Sequence, residues 1–145
     1  MKVIFAISIL FISANFGFAD QSDVNKDSLY VRGKAVVFFG PSQAEYVSMT
    51  DKQKDAIDEA LYDFYHYRNK VLMYLESNEI QAYTTAGSKI QIQFDANKSI
   101  TYFRADFGHV VGIIMTDGQH EPGVFLGPAT DADLISMFAE YFDLQ

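Results

Sequence analysis

The side chains best suited to chemistry gather between positions 106 and 121. Asp106, His109, Asp117, His120 and Glu121 set two imidazoles among three carboxylates. An imidazole beside a carboxylate can serve as a general base or bind a metal. The spacing argues against a joint site. Asp106-Phe107-Gly108-His109 and Asp117-Gly118-Gln119-His120 both read as turns, and the apolar run 110–115 between them reads as a strand. At roughly 3.3 Å per residue, a straight strand holds those turns at its opposite ends, so His109 and His120 cannot share one ion. No catalytic residue, metal or cofactor is therefore assigned. The chain has no phosphate-binding Gly-rich loop, no Gly-x-Ser-x-Gly elbow and no His-Glu-x-x-His helix, each of which brings reactive groups to one point by fixed spacing. It also has no Cys, which excludes a thiolate nucleophile, a thiolate metal site and a disulfide scaffold. A hydrolase using His109 or His120 is the last-ranked reading of the function.

Residues suited to binding are more promising. Tyr62, His66, Asn69 and Met73 recur at i, i+4, i+7 and i+11, and Tyr65 flanks them. On a helix that spacing makes one line, which here points away from the apolar stripe. Aromatics and Met on an outward line suit a protein interface; cover by another element is the plainer alternative. Tyr62, Tyr65, His66 and Met73 are taken as candidate protein-binding residues. Arg68 lies about 20° from the centre of the apolar stripe, where an unpaired guanidinium is costly. It is expected to pair, with Asp106 or Asp95 as candidate partners, to reach water, or to mark a break in the helix near Asn69. Arg68 and Tyr102 are also candidate ligand-binding residues, in a pocket between the sheet and the long helix lined further by Tyr83 and Phe103.

The elements that must position these groups follow from periodicity. Leu29, Val31, Ala35, Val37 and Phe39 alternate with Tyr30, Arg32 and Lys34, which predicts a strand over 29–39. Ser42 caps a short helix over 42–49. Thr50, with Gln53 three residues on, makes a capping box for a long helix over 51–77, ended by Asn78. Setting Ile57 at zero and advancing 100° per residue brings Ala60, Leu61, Phe64, Val71, Leu72 and Leu75 within roughly 60° of one line, with Asp55, Glu59 and Lys70 opposite. Strands follow over 80–85, 89–95, 100–107, 110–115 and 123–126, the run 110–115 covered on both faces. Thr130 caps a last helix, with Leu134, Ile135, Phe138, Tyr141 and Phe142 on its apolar face.

The class is α+β. The expected architecture is an antiparallel sheet of about five strands packed on one long helix in two layers, with a C-terminal helix. This element order resembles a cystatin-like fold, in which an antiparallel sheet wraps one long helix. The inhibitor's glutamine-valine-glycine loop motif is absent, so the resemblance implies no protease inhibition.

The first residues read as an address. Met1-Lys2, the apolar run 3–12 and Gly17-Phe18-Ala19 form the three parts of a secretory signal peptide cut before Asp20. The expected organisation is a signal peptide over 1–19, a flexible leader over 20–28 and one domain over 29–145. The expected destination is the periplasm or the extracellular space. No later run is apolar for long enough to span a bilayer, so no membrane insertion follows cleavage.

The 145 residues carry a net charge of −8, and loss of Lys2 with the signal peptide makes it −9. That disfavours nucleic acid and favours a basic protein partner. The leading expectation is an exported, non-enzymatic domain that engages another protein, of the acidic immunity or inhibitor type. A small-molecule-binding domain is the alternative.

Overall fold

A computed structural model describes residues 27–127 and 129–144, with the backbone alone for 63–65. The expected signal peptide, most of the expected leader and the side chains of Phe64 and Tyr65 lie outside the described residues. The fold is α+β. Along the chain run β1 (Ser28–Arg32), β2 (Ala35–Phe39), α1 (Gln43–Val47), α2 (Asp51–Ser77), β3 (Gln81–Thr85), β4 (Lys89–Phe94), β5 (Lys98–Phe103), a 3-10 turn (Arg104–Phe107), β6 (Gly112–Thr116), β7 (Gly123–Leu126) and α3 (Asp131–Tyr141). Among the described residues, no helix is long and apolar enough to cross a membrane.

The long helix has the expected bounds, and its caps explain why. Thr50 Oγ1 accepts from the Gln53 N–H at 3.2 Å, and Gln53 Oε1 accepts from the Thr50 N–H at 2.9 Å. Asn78 closes the other end, its N–H donating to the carbonyls of Glu76 and Leu75. The same box recurs on α1 between Ser42 and Glu45. Thr130 caps α3 through the Asp133 N–H at 3.1 Å. These reciprocal bonds satisfy donors that a helix start otherwise leaves orphaned.

The expected single antiparallel sheet is in fact two sheets, in the orders β1-β4-β5 and β3-β2-β6-β7. Two pairs are parallel, β1 with β4 and β2 with β3; the rest are antiparallel. The cystatin-like order therefore does not hold as a topology. The strand expected over 29–39 breaks at Gly33, whose φ of +83° turns the chain in a conformation that suits glycine. The chain then folds back in the second sheet rather than continuing in the first. A second switch of sheet falls between β3 and β4. The sheet begins earlier than the expected leader boundary: Ser28 pairs with Lys89, and the Lys89 N–H donates to the Asp27 carbonyl at 3.1 Å. The strand expected over 100–107 ends at Phe103, where the 3-10 turn takes over.

Three layers result, not two. Val36, Phe38, Ala82, Ile113 and Met115 face the helices and pack with Ile57, Leu61, Val71, Leu75, Leu134 and Phe138. The opposite face of the same sheet offers Ala35, Val37, Phe39, Tyr83 and Ile114 to Leu29, Val31, Ile90 and Ile92 of the other sheet. β2 and β6 are buried along their whole length, as strands covered on both faces must be. Since β2 and β3 are parallel, the chain between them must cross over, and α2 is that crossover.

Candidate protein-binding surface

One side of α2 is core and the other is bare. Ile57, Ala60, Leu61, Val71 and Leu75 are buried. On the outer line Tyr62 is 53% and Met73 67% exposed, and His66 and Asn69 between them are exposed as well. No described element covers this line. α3 packs beside it, where Lys70 Nζ meets Asp131 Oδ2 at 2.7 Å. That contact raises the Lys70 pKa and lowers that of Asp131, in each case first through the hydrogen bond between them. Two of its rings lie side by side. Tyr62 and His66 lie nearly parallel, with centroids 6.1 Å apart. His66 meets the half-buried Tyr67 edge to face at 4.7 Å, and Tyr67 is packed against the helical core. The Tyr65 side chain, the fourth candidate, lies outside the described residues.

Behind this face, α1 is pinned to α2. The Tyr46 hydroxyl donates to the buried carboxylate of Asp58 at 2.9 and 3.2 Å, and Lys54 Nζ sits 5.5 Å from the centre of the Tyr46 ring. Burial first, and then the Asp58 carboxylate, push the Tyr46 phenol pKa well up. α1 is held from its other side by Arg104, which donates to both Glu45 carboxylate oxygens and, through Nε, to the Gly87 carbonyl at 2.9 Å. Burial would raise the Glu45 pKa, but the Arg104 and Ser42 hydrogen bonds outweigh it and hold it below the usual range. Sequence reasoning missed this network. A signal existed in Ser42-x-x-Glu45, a full capping box. Nothing in the sequence pointed to Arg104, which falls within the strand expected over 100–107 and reads there as an outward polar side chain.

The histidine candidates are kept apart. His109 lies before β6 and His120 after it, at opposite ends of the strand. Asp117 Oδ1 accepts the N–H groups of Gln119 and His120, each at 2.8 Å, and Oδ2 lies 2.8 Å from His120 Nδ1. Burial works to raise the Asp117 pKa, yet these bonds lower it. The pair shapes the β6–β7 turn and leaves the imidazole 78% exposed. The neighbouring Tyr141 phenol donates to the Glu121 carbonyl at 3.1 Å, and burial, then the charge of Asp117, push its pKa up to about 12. It is a poor proton donor or acceptor near neutrality. Among the described residues, no three His, Asp or Glu side chains are placed to hold a metal ion.

Arg68 and Tyr102 lie in different layers. Arg68 is half-buried on α2, in the helical layer. Tyr102 packs between the sheets, its ring 6.0 Å from that of Phe107. The central sheet stands between them. Tyr83 belongs with Tyr102 between the sheets, while Phe103 is exposed. Of the candidate partners of Arg68, Asp95 directly follows β4 of the far sheet and pairs with Lys98 at 3.5 Å, and Asp106 lies in the 3-10 turn after β5. A cleft between the helices and the central sheet is lined by Phe38, Phe39, Ala60, Val111, Ile113 and Leu134. It brings neither Arg68 nor Tyr102 to a ligand. Comparison with family models, with curated proteins and with solved structures finds no match for this chain.

Proposed function

We propose that the protein is an exported, non-enzymatic domain that binds another protein through the outer line of α2, in the manner of an acidic immunity or inhibitor protein. One observation carries the reading: Tyr62, His66 and Met73 are aligned and exposed on a helix whose other side is core. Tyr is favoured in interfaces because a rigid ring with a polar tip gives contact area at low entropic cost. The net charge of −8 supports a basic partner, which long-range attraction would steer in. The dispersal of the histidines and carboxylates supports a binding role over a reaction centre.

The test has two parts. N-terminal sequencing of the protein recovered outside the cytoplasm should begin at Asp20; an uncleaved chain retained inside cells removes the export reading. Affinity capture with the tagged protein should recover a stoichiometric basic partner that is lost from the Tyr62→Ala/Met73→Ala double variant. A partner retained by that variant removes the surface assignment.

A further inference from the structure

The hairpin between β4 and β5 carries a motif that the α2 surface does not use. In Asp95-Ala96-Asn97-Lys98-Ser99 a hydroxyl residue stands two positions after an asparagine, with no proline between them. That triplet is the acceptor pattern for N-linked saccharide, and it belongs on surface turns of exported chains. Of the five asparagines in the chain, Asn97 is the one that has it. The fold presents it well. Asp95, Ala96 and Asn97 form the turn, and residues 95–100 are all exposed. Among the described residues the Asn97 carboxamide makes no hydrogen bond, whereas that of Asn78 donates to the Tyr74 carbonyl at 2.9 Å. The Ser99 hydroxyl accepts from Gln91 Nε2 at 3.5 Å, a long contact that leaves its proton to donate.

Two further features make the acceptor reachable. Asp95 and Ala96 have φ of 51° and 57°, left-handed values that disfavour any residue with a side chain, so the turn gives way to a transferase at little cost. The Asp95 carboxylate meets Lys98 at 3.5 Å with both side chains exposed, and such a pair is readily given up. A carboxylate two residues before the acceptor then offers a cationic pocket of the transferase a handle. The hairpin belongs to the outer sheet, across the central sheet from α2, so a saccharide there leaves the α2 line bare. Resting on the export reading above, we infer that Asn97 is an acceptor of N-linked saccharide, transferred from a polyprenyl pyrophosphate donor outside the cytoplasm. The Asn97 amide nitrogen bonds to the anomeric carbon of the saccharide. The bond from that carbon to the pyrophosphate oxygen breaks, the lipid pyrophosphate leaves, and one amide proton passes to a base of the transferase.

The experiment is mass spectrometry of the full-length gene product recovered from its own cells. Its N-terminus and the tryptic peptides that contain Asn97 are read from the same sample. The chain that begins at Asp20 should carry saccharide mass on those peptides. The mass should be lost from Asn97→Gln and from Ser99→Ala and kept in Ser99→Thr, which preserves the hydroxyl. Asp95→Ala distinguishes two kinds of transferase: loss of the saccharide assigns one that reads the carboxylate, and retention assigns one that reads the triplet alone. A chain cut before Asp20 with Asn97 bare overturns this inference and leaves the export reading standing. Saccharide that persists in Asn97→Gln also overturns it, because the modification then lies elsewhere. An uncut, unmodified chain inside the cells overturns both.

Discussion

Glu45 does two jobs with one carboxylate. It closes the capping box of α1 by accepting the Ser42 N–H at 3.0 Å, and it neutralises Arg104, whose side chain is 8% exposed. Removing it leaves a nearly buried guanidinium whose Nε still donates to the Gly87 carbonyl but whose charge has lost its paired carboxylate. Glu45→Ala should therefore destabilise the fold by about 2–3 kcal/mol, measured as a shift in the denaturation midpoint. That is less than a fully buried pair would cost, because the Glu45 side chain is 32% exposed and water screens part of the charge. The pH dependence has a definite sign. The folded Glu45 carboxyl titrates below its usual 4.5, so its contribution is complete above that pH and fades as acid is added below it. Glu45→Gln should flatten the acid limb. Tyr46 gives the opposite limb. Its folded pKa lies above the usual 10.0, so its contribution holds below pH 10 and fades above, where the unfolded phenol ionises first. Tyr46→Phe should cost about 1–2 kcal/mol at neutral pH and flatten the stability profile on the alkaline side of pH 10.

At the scale of elements, helices were legible in the sequence and sheet membership was not. Thr50 and Gln53 mark a helix start by local hydrogen bonding, so four residues suffice to read it. Strand partnership is non-local. Leu29, Val31, Ala35, Val37 and Phe39 do share one core, as their alternation implies, yet they lie on two strands of different sheets that face each other across it. Because the turn at Gly33 keeps odd-numbered residues pointing inward on both sides, the period continues unbroken through a change of sheet. The clue was the unbroken apolar run 35–39, which marks a strand covered on both faces. Two glycine substitutions separate conformation from packing in this arrangement. Gly33 has open space around it but a φ of +83°, so Gly33→Ala should cost about 1 kcal/mol of backbone strain. Gly112 has no such φ, but a Cβ there would press into the buried Phe39 ring and come within 2.8 Å of Leu126 Cδ2. Gly112→Ala should cost more, about 2–3 kcal/mol by overpacking, and thermal denaturation of the two variants gives the order.

For the molecule as a whole, negative charge is weighted towards the helical layer. The strands β1, β4 and β5 carry Arg32, Lys89 and Lys98 and no carboxylate, and exposed Asp27, Asp95 and Asp106 in the adjoining turns offset that positive charge. The helical side exposes Asp51, Asp55, Glu59, Glu76, Asp133 and Glu140 against Lys52 and Lys70. A cationic protein would therefore be drawn more strongly to the helical layer than to the outer sheet, which would orient the encounter before any contact forms. Core and surface are separable too, since the outer line of α2 lies on neither packed cluster. Tyr62→Ala/Met73→Ala should leave stability within about 0.5 kcal/mol of wild type, whereas Phe138→Ala, at a fully buried site, should cost about 3–5 kcal/mol. Charge sorting then makes a kinetic distinction. Glu59→Lys should slow association with the captured partner and reduce its salt dependence, because it weakens the attracting pole. Lys89→Glu places one new negative charge at the far pole and should change the association rate less, although it shifts the net charge by the same two units in the opposite direction. Stopped-flow association at several ionic strengths separates the two cases. Equal and opposite responses would mean that net charge alone governs the encounter, and the layered arrangement would have no part in orienting it.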